Sequence, residues 1–143
     1  MSASQIFWPM LLQIILPNIA LLVLAKRKMA DRKTGDFDPK KTALDNTAWS
    51  EGVVKVSNNL ANQFQMPVLF YALCLMAYVL DAVSGFLLGL AWFFVVTRYA
   101  HAFVHMGSNY IPHRFPLFLI GVVALWAMIG NLGWVLSLES AGL

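Results

Sequence analysis

The sequence predicts an all-helical, polytopic membrane protein in which four helices cross the bilayer as one bundle. Four stretches contain no Asp, Glu, Lys or Arg: Met1–Ala25, Val56–Leu80, Ala82–Thr97 and Phe115–Leu138. An apolar helix of roughly 20 residues spans the hydrocarbon core, and the third stretch reaches that length if its helix continues past Arg98. Only 12% of the 143 residues are charged, whereas soluble domains contain roughly 25%. We therefore expect one membrane domain over residues 1–143.

The distribution of basic residues predicts the orientation of this bundle. The first connection holds Lys26, Arg27, Lys28, Arg32, Lys33, Lys40, Lys41 and Lys55. Arg98 and Arg114 flank the second connection on the same side, and the opposite side carries only Asp81 and Glu139. Because Lys and Arg accumulate in cytoplasmic loops, both termini are expected to be non-cytoplasmic. The net charge of +3 predicts contact with anionic lipid headgroups rather than with nucleic acid.

The first half of the chain is predicted to contain a span over about 6–25, a polar cytoplasmic loop over 26–50 and a second span over 56–80. Pro9 and Pro17 each remove a backbone hydrogen bond from the first span. The loop has turn signals at 34–36 and 38–39. Asp45, Asn46 or Thr47 is expected to cap a second helix that continues to about Leu80.

The second half is predicted to contain a third span over 85–106 and a fourth over 115–138. A short turn near Asp81 and Ser84 separates the second and third spans. Residues 109–116, with Pro112 and Pro116, form the other cytoplasmic turn.

Polar residues recur along one face of the second helix and one face of the third. The first stripe consists of Lys55, Asn58 or Asn59, Asn62 and Gln65, and the second of Arg98, His101, His105 and Asn109, with Arg114 just beyond. Steps of three and four residues keep side chains on one helix face. Ionisable residues at membrane depth indicate a functional site. We expect the stripes to form a cationic cleft for an anion that carries carboxylate and amide groups.

These features resemble the MAPEG family, membrane-associated proteins in eicosanoid and glutathione metabolism. The spacing Arg98-x2-His101-x3-His105-x8-Arg114 is similar to the Arg, His, Tyr and Arg that a member of this family has at the same spacing. The residues Glu51, Lys55, Asn59, Asn62 and Pro67 resemble the family segment E-R-x-x-R-A-x-x-N-x-x-E and its later proline.

The resemblance implies a homotrimer of four-helix bundles that binds glutathione, as co-substrate, between neighbouring subunits near the cytoplasmic face. It implies that Arg114 is the catalytic residue, closest to the sulfur, and that a lipophilic electrophile or peroxide enters from the bilayer. It also implies a set of glutathione-binding positions: Arg27, Lys55, Asn59, Asn62, Gln65, Arg98, His101, His105 and Tyr110. A nearby guanidinium favours the nucleophilic thiolate over the thiol.

The sequence also departs from the family pattern. Gly52 follows Glu51 where the family has Arg, and the helix-two Glu of the family becomes Asn62, or Gln65 in another register. His105 replaces the usual Tyr, although Tyr110 lies nearby. These departures are typical of a divergent prokaryotic-type member, which predicts a bacterial inner membrane.

Two alternatives belong to other functional classes. A non-catalytic scaffold subunit would keep the bundle and bind a lipid or a partner protein. A metal or haem site would use His101 and His105, which are four residues apart, but no Cys, Asp or Glu is placed to supply a third ligand. We therefore expect no metal.

Overall fold

The computed structural model describes residues 2–35 and 37–142, and within these ranges it contains helices and no strand. The helices are α1 (Phe7–Thr34), α2 (Pro39–Thr42), α3 (Glu51–Asn62), α4 (Met66–Val79), α5 (Gly85–Met106) and α6 (Ile111–Ser140). Short 3-10 helices occupy Ala3–Ile6 and Asn46–Ala48. The prediction of an all-helical fold is confirmed.

Four helical segments are long and apolar enough to cross a membrane: Ala3–Thr34, Glu51–Val79, Gly85–Met106 and Ile111–Ser140. The second of these comprises α3 and α4. Large apolar side chains such as Leu22, Val79 and Phe103 point outward from the bundle. A continuous apolar exterior of this kind suits lipid rather than water. The number of predicted spans is therefore confirmed.

Helix α1 extends well beyond the predicted end of the first span. The segment after Ala25 was expected to be a polar loop, but it remains helical to Thr34. Its Lys, Arg, Met and Ala residues are favourable in helices, and Arg32 and Lys33 lie in the last turn, where they interact favourably with the helix dipole. The helix ends at Gly35, whose φ of 75° is the left-handed conformation that favours glycine. The turn predicted over 34–36 includes Asp36, which lies outside the described residues.

The two prolines of α1 have different effects. Pro9 lies in the first turn of α1, directly after the 3-10 helix of Ala3–Ile6, so its missing N–H falls where the two helices join. Pro17 lies in the helix interior. Beside it, the Asn18 side-chain amide donates a 2.7 Å hydrogen bond to the Ile14 carbonyl.

The second membrane helix is capped by Ser50, not by Asp45, Asn46 or Thr47. The Ser50 hydroxyl accepts a hydrogen bond from the Val53 N–H at 3.4 Å. Asp45 instead caps the 3-10 helix, accepting hydrogen bonds from the Thr47 hydroxyl at 2.6 Å and the Thr47 N–H at 2.8 Å. These two bonds hold the pKa of the Asp45 carboxyl below its ordinary value.

The second membrane helix is also interrupted, whereas the sequence predicted one continuous helix to about Leu80. α3 ends at Asn62 and α4 begins at Met66. The cause is Pro67, which lacks an N–H and whose ring would clash with the carbonyl four residues earlier, that of Gln63. The chain crosses this break with tighter bonds, such as Phe64 N–H to the Ala61 carbonyl at 3.1 Å.

The two remaining turns are short. Asp81, with a φ of 50°, follows α4, and the Ser84 hydroxyl caps α5 by accepting from the Leu87 N–H. The turn predicted over 109–116 is shorter than expected, because α6 already begins at Ile111. Pro112 lies in its first turn, where a missing N–H costs nothing.

Helix α5 is the central element of the bundle, packing against α6, α1 and α3. In the main core, the Phe94 ring stacks on Phe70 of α4 with centroids 4.6 Å apart. Tyr99 donates a 2.7 Å hydrogen bond to the Leu12 carbonyl of α1. Arg27 joins α1 to the last residue of α5, Met106. We call this end of the bundle, which also carries α2 and the start of α6, the basic end.

Candidate functional site

A cavity of about 230 Å³ lies towards the basic end, where α3, α5 and α6 meet. Its polar lining residues are Asn62, His101, His105 and Arg114, and its apolar lining residues are Ile111, Phe115 and Phe118. Phe115 and Ile111 are also exposed on the outer surface of the bundle. The cavity therefore has a polar wall inside the protein and an apolar wall that continues to the exterior.

Helix α5 supplies the two histidines from one face, because they are four residues apart. Their rings are in edge-to-face contact with centroids 5.4 Å apart. The His101 ring is also 6.0 Å from the ring of Phe118. Both Nδ1 atoms are buried and have no hydrogen-bond partner in the structure. Each imidazole therefore keeps a polar atom available in or beside the cavity.

Arg98 lies three residues before His101 on the same buried face of α5, and only 1% of its surface is exposed. Its Nε and Nη2 atoms are buried without a partner. Within the described ranges the single ion pair joins Lys55 to Glu51, at 2.6 Å, so no carboxylate pairs with Arg98. An unpaired buried charge is costly. The buried Arg98 guanidinium would therefore be stabilised by an anion bound beside it.

Arg114 is oriented by the turn between α5 and α6. Its Nη1 donates to the Asn109 side-chain carbonyl. Asn109 has a φ of 55°, and its N–H donates to the Val104 carbonyl at 2.8 Å, which ties the turn to the end of α5. A guanidinium has five N–H donors. The contact with Asn109 uses one and leaves others for a ligand in the cavity.

Asn62 is the residue of α3 that lines the cavity. It is the last residue of that helix, and its Nδ2 donates to the Asn58 carbonyl at 3.1 Å. The stripe on α3 and the stripe on α5 thus meet at Asn62, His101 and His105, as the sequence predicted for a polar cleft. Asn62, at the end of α3, is the residue of the first stripe that lines the cavity.

The other predicted residues of the second helix do not line this cavity. Lys55 pairs with Glu51, and Asn59 is fully buried and accepts a hydrogen bond from Gln63. Gln65 is exposed in the break between α3 and α4. A continuous helix would have kept Gln65 on the face of Asn62, but the interruption before Pro67 changes its direction.

Two further predicted residues also lie outside the cavity. Arg27 donates hydrogen bonds to the carbonyls of Gly52 and Met106. Tyr110 is exposed, and its ring is in edge-to-face contact with His113, with centroids 5.0 Å apart. Within a single chain, therefore, both are separate from the residues around His101.

Three buried amide side chains are linked by hydrogen bonds, and of these the predicted stripe contained Asn59. Gln63 Nε2 donates to Asn59 Oδ1 at 3.3 Å, and Gln13 Nε2 donates to Gln63 Oε1 at 3.3 Å. All three side chains are almost completely buried. Gln63 was missed, although its position four residues after Asn59 and four before Pro67 marks it as a partner for the amide stripe.

The described residues contain no group of three or more His, Cys, Asp or Glu side chains arranged to hold a metal ion. The paired histidines are thus accompanied by guanidinium and amide groups, which are unsuitable or weak metal ligands. This arrangement is better suited to an anionic ligand.

Comparison with known families matches the MAPEG family over residues 5–134. Comparisons with curated proteins and with solved structures give no significant match. The matched region covers nearly all of the chain, including the four candidate spans up to Trp134 and every residue of the cavity. The chain therefore belongs to the MAPEG family, and it is a multi-pass membrane protein of the type found in glutathione and eicosanoid metabolism.

Proposed function

We propose that the protein binds glutathione in the cavity and conjugates it, through its sulfur, to a lipophilic electrophile, or uses it to reduce a lipophilic peroxide. The observation that carries this proposal is the oriented guanidinium of Arg114 in the cavity wall, together with the buried, unpartnered guanidinium of Arg98 one helical turn before His101 on α5. Carboxylates and a thiolate are the anions that guanidinium groups stabilise. Amide groups of the peptide would be served by Asn62 and by the imidazole nitrogens.

In this mechanism Arg114 stabilises the thiolate form of the bound thiol, whose proton passes to water. With an aryl halide, the sulfur forms a bond to carbon and halide leaves with the electron pair. With a hydroperoxide, the thiolate attacks the terminal oxygen and the O–O bond breaks, releasing an alcohol once a proton is taken up. A second glutathione then converts the resulting sulfenic acid to the disulfide and water.

The apolar wall of the cavity supports access from the bilayer. Phe115 and Ile111 lie on the outer surface of α6 and also line the cavity. A lipophilic substrate can approach along these side chains while the thiol is held by the polar wall. The proposal includes a homotrimer, in which Lys55, Gln65 and Tyr110 would complete the site from a neighbouring subunit, whereas Arg27 and Asn59 are held inside their own bundle.

The experiment is calorimetric titration of the detergent-purified protein with glutathione, followed by assays with an aryl halide and with a lipid hydroperoxide. Arg114→Ala should reduce the rate about ten- to a hundredfold, because a lost charge-assisted contact costs about 1.5–3 kcal/mol. Arg114→Lys should retain part of the activity, since a point charge still favours the thiolate but lacks the planar fork. Lys33→Ala, which changes an exposed cation at the basic end, is the matched control.

A scaffold function is the second candidate, because the cavity lining lacks a carboxylate for the ammonium group of glutathione. In that case the cationic cavity binds a lipid headgroup or partner protein. Absence of glutathione binding at millimolar concentration, together with absence of turnover of both electrophiles, would favour the scaffold over the enzyme.

A further inference from the structure

We infer that the cavity selects an acidic thiol without a free ammonium group, and that Asn62 determines this preference. The inference rests on the proposed function, because it names the class of thiol that the proposed enzyme uses. It concerns the charges that surround the cavity. Glutathione carries an ammonium group beside one of its two carboxylates, whereas thiols with an acylated or absent amine carry carboxylates alone.

Within the described ranges, the charged groups of the cavity wall and of the adjoining turn of α5 are cations. Arg114 lines the cavity, and Arg98 is buried one helical turn from His101 without a counter-ion. The other polar lining groups, from Asn62 and the two histidines, are an amide and two imidazoles. None of the residues that line the cavity is Asp or Glu. A carboxylate ligand in the cavity therefore meets the Arg114 guanidinium, whereas an ammonium ligand meets no opposite charge among the lining residues.

Among the described residues, two carboxylates near the start of α3, those of Glu51 and Asp31, already have partners. Glu51 pairs with Lys55 at 2.6 Å, and its side chain is 82% exposed. Asp31 accepts hydrogen bonds from the Ser50 hydroxyl at 3.0 Å and the Ser50 N–H at 3.1 Å. Use of either for a ligand would break a contact that holds the start of α3. The cavity of this chain thus offers no free carboxylate among its lining residues to bind an ammonium group.

The physical consequence is a preference between thiols that share the same cysteine and carboxylates. An ammonium group that leaves water requires a carboxylate or several acceptors to replace its hydration. Here it would also be repelled by guanidinium groups in a partly buried, weakly screened site. A thiol without the ammonium avoids both penalties and keeps the attraction of its carboxylates to Arg114.

Asn62 is the position at which this preference can be changed. It is the α3 residue on the polar wall, and its side-chain amide donates a hydrogen bond within its own helix, to the Asn58 carbonyl. Asn62→Asp introduces a carboxylate of the same size at the cavity. Asn58→Asp introduces the same charge one turn earlier on α3, at an exposed residue that does not line the cavity.

The test compares glutathione with its des-amino analogue, in which glutaryl replaces γ-glutamyl, by calorimetric titration and by conjugation to an aryl halide. Wild-type protein should bind the analogue at least about tenfold more tightly. Asn62→Asp should shift the ratio of the two affinities at least about tenfold towards glutathione, and Asn58→Asp should keep the wild-type ratio.

A wild-type preference for glutathione would overturn the inference while leaving the proposed function intact, and this comparison requires no variant. The same ratio in wild type and a folded Asn62→Asp variant would also overturn it, because another residue would then control selectivity. If neither thiol binds at millimolar concentration, the proposed function fails and the inference fails with it.

Discussion

The guanidinium of Arg27 donates a hydrogen bond to the Gly52 carbonyl at 2.6 Å. A second bond goes to the Met106 carbonyl at 3.0 Å, so one side chain joins α1, α3 and α5. Met106 is the last residue of α5, where carbonyl groups have no partner inside the helix. A Cβ atom on Gly52 would lie 3.8 Å from Arg27 Cδ. Alanine would fit there, but a long side chain would have to share the space of Arg27.

We expect Arg27→Ala to lower the stability of the bundle. The variant removes two hydrogen bonds from a charged donor and leaves the Met106 carbonyl without this partner. Such bonds contribute about 1.5–3 kcal/mol each, without strict additivity. Thermal unfolding in mild detergent, followed by circular dichroism, should show a lower Tm for Arg27→Ala than for Lys33→Ala. Equal Tm values would show that the Arg27 contacts do not stabilise the fold.

Gly121 provides a test of the packing between α5 and α6. A Cβ atom added there would lie 3.2 Å from Thr97 Oγ1. The Thr97 hydroxyl is itself held by a 2.7 Å hydrogen bond to the Phe94 carbonyl, so it cannot turn aside without losing that bond. We expect Gly121→Ala to cost about 1–3 kcal/mol, the usual range for overpacking.

Gly130→Ala is the matched control, because it lies on the same helix and an added Cβ meets nothing within 4 Å. Denaturant or thermal unfolding of the two variants should show a loss for Gly121→Ala alone. Comparable stability of both variants would mean that α5 and α6 separate slightly at no cost.

The spans and the family could be predicted because each depends on local sequence. Charge-free stretches reveal helices that cross a membrane, and His101 and His105 share a face whatever the surrounding fold. Gln65 was wrongly placed beside Asn62 because the prediction continued a helix through the turn that Pro67 imposes. The rule that would have prevented this error is also local, since a proline disfavours helix at the preceding residues.

Other features could not be predicted from single segments. The hydrogen bond from Gln13 to Gln63 joins residues 50 positions apart, and the contacts of Arg27 span 25 and 79 positions. These partners depend on how the helices pack together. The helical continuation of α1 to Thr34 has a different cause, because the helix propensity of this segment outweighs its polarity.

Assembly can be tested by native mass spectrometry. If the proposed site lies between subunits, protein released from mild detergent should have three times the subunit mass of 15.9 kDa. The predominant species should persist on dilution, since a functional interface between membrane helices is packed rather than transient. A monomer, or a dimer that resists dilution, would remove the trimeric part of the proposal and leave the cavity within one chain.

The orientation can be tested with introduced cysteines. Lys33 lies near the end of α1 and Ser140 is the last residue of α6, and both are exposed. Membrane-impermeant maleimide should label Lys33→Cys only after the cytoplasmic side is opened, and it should label Ser140→Cys from outside. The native Cys74 is buried, which keeps background labelling low. Reversed labelling would invert the topology without changing the four spans.

His105→Tyr tests whether the cavity can be returned to the usual family pattern. His105 lines the cavity, and its buried Nδ1 has no partner. A tyrosine at this position would extend a hydroxyl donor towards the cavity, where it can donate to a thiolate beside Arg114. We expect the variant to bind glutathione at least as tightly as wild type, measured by calorimetric titration. Phenylalanine at the same position is the control for ring size, because it lacks the hydroxyl. If His105→Tyr and His105→Phe lose binding equally, the imidazole itself contacts the ligand, and the role inferred for a hydroxyl at this position is wrong.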